Sequence, residues 1–211
     1  MKIFKRFAFL LLLFVLYTFV CAFSYANTVS EDLSNSVFRL HILANSDSEE
    51  DQNLKLAVRD NILSYMKEIS SDVSSKEDVI SLVNEHLNDF YSIARETIVS
   101  NGYDYDVRLS IDKFDFPTKV YGDIALPAGL YDALRIEIGE ANGHNWWCVM
   151  FPTLCFVDVS SGSLDDEAKS VLESNLNDEE FEIVSKDNET FGFKFKILEF
   201  FDNIRVTLAS K

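Results

Sequence analysis

The spacing of apolar and polar residues changes period several times along this chain, and each change marks an element. Phe7 to Phe23 carries no charge at all. From Val37 to Leu43 the period is two, which predicts a strand with Phe38, Leu40 and Ile42 inward and with Arg39 and His41 on a polar face. The period then lengthens to that of a helix, because Leu54, Val58, Ile62, Tyr65 and Ile69 form one stripe. Asp47 or Ser48 caps this helix, and Glu49, Glu50 and Asp51 complement the positive end of its dipole. Lys55, Arg59 and Asp60 fall largely outside the stripe. A second helix is predicted from Ser75, its N-cap, to near Gly102, with Val79, Leu82, Val83, His86, Phe90, Ile93 and Ile98 on its apolar side. Strand periodicity returns from Tyr103 to Phe114, where Val107, Leu109 and Ile111 share a face, and a short edge strand is expected from Lys119 to Ala125.

Arg135 to Phe156 holds both tryptophans, one of the three histidines and two of the three cysteines. Asn142-Gly143 best supplies the two positive φ values of a type I′ turn, so apolar alternation on both sides of it predicts a two-residue hairpin. With Ala141 opposite His144, one face carries Leu134, Ile136, Ile138, Trp147, Val149 and Phe151; the other carries Arg135, Glu137, Gly139, Trp146, Cys148 and Met150. Trp147 is then a core side chain. Trp146 needs a cover: either a helix or the C-terminal tail packs on it, or it is kept for a partner. Successive strands joined by short loops imply an α+β fold, an antiparallel sheet with this hairpin at its centre and two long helices on one face.

The ends of the chain have a different texture. Lys2, Lys5 and Arg6 precede the apolar run, and Ser24-Tyr25-Ala26 offers small residues where a signal peptidase reads, so residues 1–26 are expected to be a signal peptide cleaved after Ala26, or an N-terminal anchor. Residues 27–211 are expected to form a single exported domain. Without the three leading basic residues, 16 basic face 35 acidic side chains, a net charge of −19. That balance argues against nucleic acid and against adsorption on an anionic membrane, leaving membrane contact to the N-terminal segment or to a partner. Residues 158–189 contain eleven acidic and two basic residues, with a short helix expected from Asp165 to Leu176 and a strand near Phe181 to Ser185. Ile197, Phe201, Ile204 and Leu208 then recur at helical spacing, predicting an amphipathic C-terminal helix that either covers Trp146 or docks a partner.

Few residues suggest chemistry. Asn45, Asp47, Glu49 and Asp51 alternate like the start of a calcium loop, but Glu50 stands where that loop needs glycine and Leu56 where it needs a bidentate glutamate. His86 has Phe90 at i+4 instead of a second ligand, and no metal or cofactor is expected. An exported cysteine hydrolase using Cys148 and His144 is the enzymatic alternative. Four residues apart on one strand, the two side chains would stand roughly 13 Å from each other at ~3.3 Å per residue, too far for proton transfer. Cys148 and Cys155 either form a disulfide, if the chain reverses at Phe151-Pro152-Thr153, or remain buried thiols.

Two segments are distinctive as whole strings: RLHILANSDSEEDQNLKLAVRD, from Arg39 to Asp60, and LPAGLYDALRIEIGEANGHNWWCVMFPTLCF, from Leu126 to Phe156. Together they resemble the signatures of the stage II sporulation protein R family, with departures at Thr153, where a second proline is expected, and at Ala141-Asn142, where a more glycine-rich turn is expected. The resemblance implies a non-catalytic signal, exported from the forespore into the space facing the mother cell. There it would activate a membrane-embedded aspartic peptidase that processes the precursor of sporulation sigma factor E. On that reading the partner contacts are Trp146, His144 and Asn145 at the hairpin tip, with Lys55 and Arg59 on the first helix.

Overall fold

The computed structural model describes residues 2–70, 73–121 and 124–152, with single positions at 170, 173, 174 and 181. In chain order the elements are α1 (Lys2–Ser36), β1 (Phe38–Leu43), α2 (Glu49–Ile69), α3 (Lys76–Glu85), α4 (Leu87–Ser100), β2 (Val107–Phe116), β3 (Lys119–Tyr121), β4 (Ile124–Leu126), β5 (Gly129–Ile138) and β6 (Asn145–Phe151). The fold is α+β. Its sheet runs β2-β5-β1-β6, and β3 with β4 makes a separate ribbon.

That order overturns the central hairpin. β5 and β6 do not pair; β1 lies between them, parallel to β5 and antiparallel to β6, so Leu40 stands between Leu134 and Cys148. β2 pairs antiparallel with β5, which makes the sheet mixed, with two of three ladders antiparallel. The positive φ values fall at Gly139 and Ala141, not at Asn142 and Gly143. With the direct pairing gone, the face assignment of β6 reverses. Cys148 and Met150 join Leu134, Ile136 and Ile138 in the helix-side core, and Trp147 and Val149 turn to the far side. A register shift against Phe38 and Arg39 lets Phe151 return to the helix side after Met150.

The helix-side core joins Phe38, Leu40 and Ile42 to Leu54, Val58, Ile62 and Met66 of α2, Val79 and Val83 of α3, and Phe90, Ala94 and Ile98 of α4. Ser48 is the N-cap of α2, accepting the Asp51 N–H at 3.2 Å, and Ser75 caps α3 by accepting from Asp78 at 3.2 Å. The expected second helix is divided at His86, whose ring Nδ1 lies 2.8 Å from Tyr65 Oη and 2.9 Å from Asp89 Oδ2.

The far face has its own core of Leu33, Val37, Phe116, Ile124, Leu126, Tyr131, Ala133 and Val149. All six residues of β1 are buried, so Arg39 and His41 sit in this second core and not on the solvated face that alternation predicts. The apolar N-terminal segment is part of one helix that runs past Ala26 to Ser36, and its end enters the fold, where Leu33 is fully buried and Ser34 O accepts from Lys76 Nζ at 2.8 Å. Within it, Ile3–Cys21 has a mean hydropathy of 2.1 and is long and apolar enough to cross a membrane. This fits a signal peptide or membrane anchor.

Among the expected C-terminal elements, Ser170, Glu173 and Ser174 are helical, as predicted for Asp165 to Leu176. Phe181 is helical too, where a strand was expected, and packs against the far-face core. The remainder of the acidic segment, Cys155 and the amphipathic C-terminal helix lie outside the described residues.

Candidate functional site at the carboxyl ends of β1 and β5

Because β1 and β5 are parallel, their carboxyl ends point the same way, and the loops that follow them meet. Residues 44–48 and 139–144 are joined along their length. Asn142 N–H donates to Asn45 O at 3.2 Å and Gly143 N–H to Ala44 O at 3.0 Å. Asn45 Oδ1 accepts from Glu140 N–H at 3.0 Å, and Asp47 Oδ1 from His144 N–H at 2.6 Å. The glycines serve this contact: a Cβ on Gly143 would strike the Ser46 carbonyl, and one on Gly139 the Asn45 side chain. Asn142-Gly143 is therefore a close-approach site, and the turn signal in it is incidental.

Buried Asp51 braces the first loop from below, accepting from Asn45 Nδ2 at 2.8 Å and Ser46 Oγ at 2.5 Å. Burial pushes its carboxyl up, but the hydrogen bonds from Ser46, Asn45 and Tyr105 outweigh this and hold it below the usual carboxylate range. The hydrogen bonds from His144 likewise hold Asp47 below that range. The residues resembling a calcium loop are thus capping and bracing groups, and among the described residues no three His, Cys, Asp or Glu side chains converge to hold a metal.

The expected contact residues gather at this end in unequal states of exposure. His144 is 80% exposed, and its ring Nδ1 lies 2.5 Å from Asp47 Oδ1. Lys55, expected on the surface, is only 4% exposed; its ammonium is spent on Gln52 Oε1 at 2.6 Å and His144 O at 2.9 Å. Burial, with Arg59 nearby, lowers the Lys55 pKa. Arg59 stacks its guanidinium 4.3 Å from the centroid of Trp146 and also bonds Asp60, with Nε 2.7 Å from Oδ1. α2 therefore supplies the cover that Trp146 needed, and the indole packs half-buried against the helix-side core. Asn145 opens β6 opposite Leu43 with its Oδ1 buried and unpartnered among the described residues.

Cys148 is buried and disulfide-bonded, whereas Cys21 is free and exposed. A disulfide sulfur is no nucleophile, and His144 turns to Asp47, so these two residues do not form a hydrolytic pair.

A second polar cluster lies on the far face, where pattern reading expected solvated residues. The Arg39 guanidinium is sandwiched 4.0 Å from the Phe116 centroid and 4.7 Å from that of Tyr131, and donates to Tyr121 Oη at 2.9 Å. His41 stacks on Trp147, centroids 5.7 Å apart. Burial lowers its pKa to about 4, opposed in part by the neighbouring Asn145 side chain.

Both loops, β1 and the strands that carry them fall inside residues 34–161, which match the profile of Stage II sporulation protein R (spore_II_R). The chain belongs to the stage II sporulation protein R family. It is similar to Stage II sporulation protein R of Bacillus subtilis (strain 168), with 41% identity over 130 residues, or 62% of this chain and 58% of that protein. The matched region thus spans somewhat over half the length of that relative. No solved structure matches the chain. In this family member the two signature segments are the two halves of one hydrogen-bonded tip.

Proposed function

We propose that the chain is an exported sporulation signal that activates a membrane-embedded aspartic peptidase, which then processes the precursor of sporulation sigma factor E in the mother cell. It acts from the space between the forespore and mother-cell membranes, as a released domain or anchored by α1. It does so as a binding partner and not as a catalyst. The observation that supports this reading is the locked tip, where both family signatures converge on one hydrogen-bonded surface. Activation requires that the tip bind the active state of the peptidase more tightly than the inactive one, since equal affinity would shift nothing.

Cells that carry the peptidase and precursor, with and without this chain, test the proposal. Processing is expected to depend on the chain and to survive replacement of both Cys148 and Cys155 by serine in a variant that still folds. Processing indifferent to the chain would sink the reading.

A further inference from the structure

His144 is exposed, yet its backbone N–H, its carbonyl and one ring nitrogen are all engaged. Its backbone N–H is held by Asp47 at 2.6 Å, its carbonyl by the buried Lys55 ammonium at 2.9 Å, and its ring Nδ1 by Asp47 at 2.5 Å. An ionised carboxylate has no proton to give, so Nδ1 carries the hydrogen in that contact. Only the Nε2 edge is left for an outside group. We infer that His144 is a preset recognition residue that offers Nε2 to a hydrogen-bonding group of the partner, with Asp47 and Lys55 as the positioning residues that aim it.

Joining two loops does not require this arrangement. The backbone bonds from Asn142 and Gly143 and the Asn45 amide already tie residues 44–48 to 139–144. What Asp47 and Lys55 add is a fixed orientation for a ring that is otherwise in water. An exposed side chain normally loses rotamer freedom when it binds, and fixing it beforehand reduces that loss. With the hydrogen on Nδ1, Nε2 accepts, so the surface it fits presents a hydrogen-bond donor at the point of contact, such as a peptide N–H or a side-chain hydroxyl or amide N–H, and not an apolar patch. The inference rests on the functional reading above and names the group through which that site is read.

Asparagine and glutamine separate the two ends of the ring. His144→Asn keeps a donor near the Nδ1 position for Asp47 but lacks Nε2, whereas His144→Gln reaches the Nε2 position but gives up the Asp47 bond. Both variants are compared with wild type for precursor processing at several levels of the chain, alongside their urea unfolding midpoints. His144→Asn is expected to keep the wild-type midpoint, to lose at least tenfold in processing at low chain level and to recover at high level. His144→Gln is expected to retain more processing despite a lower midpoint. Full processing by His144→Asn when wild type is active overturns this inference alone. Processing that tracks the unfolding midpoint across the two variants overturns it as well. A wild-type chain with no effect on processing overturns the functional reading and this inference with it.

Discussion

The two sides of β1 are both buried and differ in what fills them. On the helix side β1 contributes Phe38, Leu40 and Ile42 to an apolar core that contains no charged side chain of this strand. On the far side the same strand contributes Arg39 and His41 to a box of aromatic rings built from Phe114, Phe116, Tyr131 and Trp147. The first face gains stability from area removed from water; the second also holds a guanidinium away from water, with ring faces against it and the Tyr121 hydroxyl on one of its nitrogens, while Arg39 Nε and Nη1 have no hydrogen-bond partner among the described residues. Two sides of one strand therefore reach equal burial by different physics.

The sharpest way to break this comparison is to cut each face at one residue. Leu40→Ala should cost about 3 kcal/mol by opening a cavity among well-packed aliphatics. Arg39→Met, which removes a buried charge while keeping its bulk, should stay within about 1 kcal/mol of wild type. Urea midpoints measure both, and equal losses would mean that the guanidinium is as necessary to its core as the leucine is.

Next in size is a pH effect specific to the far face. The folded His41 titrates at about 4, below its ordinary 6.5, so between these values the unfolded chain binds the extra proton. His41's contribution to stability is complete above pH 6.5, declines as the pH falls toward about 4, and then levels off. Allowing for partial solvent screening, its size is roughly 2 kcal/mol. His41→Phe should flatten this part of the stability profile; an unchanged slope would assign it elsewhere. The carboxylates of Asp47 and Asp51, both held low, lose their contributions further down the pH scale.

The smallest effect lies at the tip that joins the strands. Lys55→Met leaves the His144 carbonyl without its buried donor, which should cost roughly 1–2 kcal/mol. Local hydrogen exchange should rise in residues 139–145 before it rises in the core. Exchange unchanged there would show that the backbone bonds alone hold the loop.

These contrasts also explain what could be read in advance. The strand over Val37 to Leu43 and the helix over residues 49–69 were legible because their spacing is local. Alternation cannot distinguish one face in and one face out from both faces in, so Arg39 and His41 looked solvated. The hairpin failed for a non-local reason: β1, roughly a hundred residues earlier, takes the place beside β5 that a two-residue turn would have given to β6. Asn142-Gly143 satisfies a turn pattern and a close-approach requirement with the same residues. At the site, His144, Asn145 and Trp146 were legible as a cluster because they are contiguous. Asn45 was visible only within a failed calcium-loop pattern, and Asp47 and Asp51 only as residues suited to the helix start, since their second role needs the other loop. Lys55 looked exposed by helical phase and is buried because that same loop covers it.

The last turn of α1 gives the apolar N-terminal helix a share in the architecture. Leu33 lies twelve residues beyond Cys21, about 18 Å along a helix, so if Ile3–Cys21 were anchored in a membrane the head would stand on a short stalk. A cut after Ala26 would leave Leu33 in its place. Trimming would therefore change how far the head can travel while leaving the shape of the tip untouched, so that reach and shape are separately adjustable.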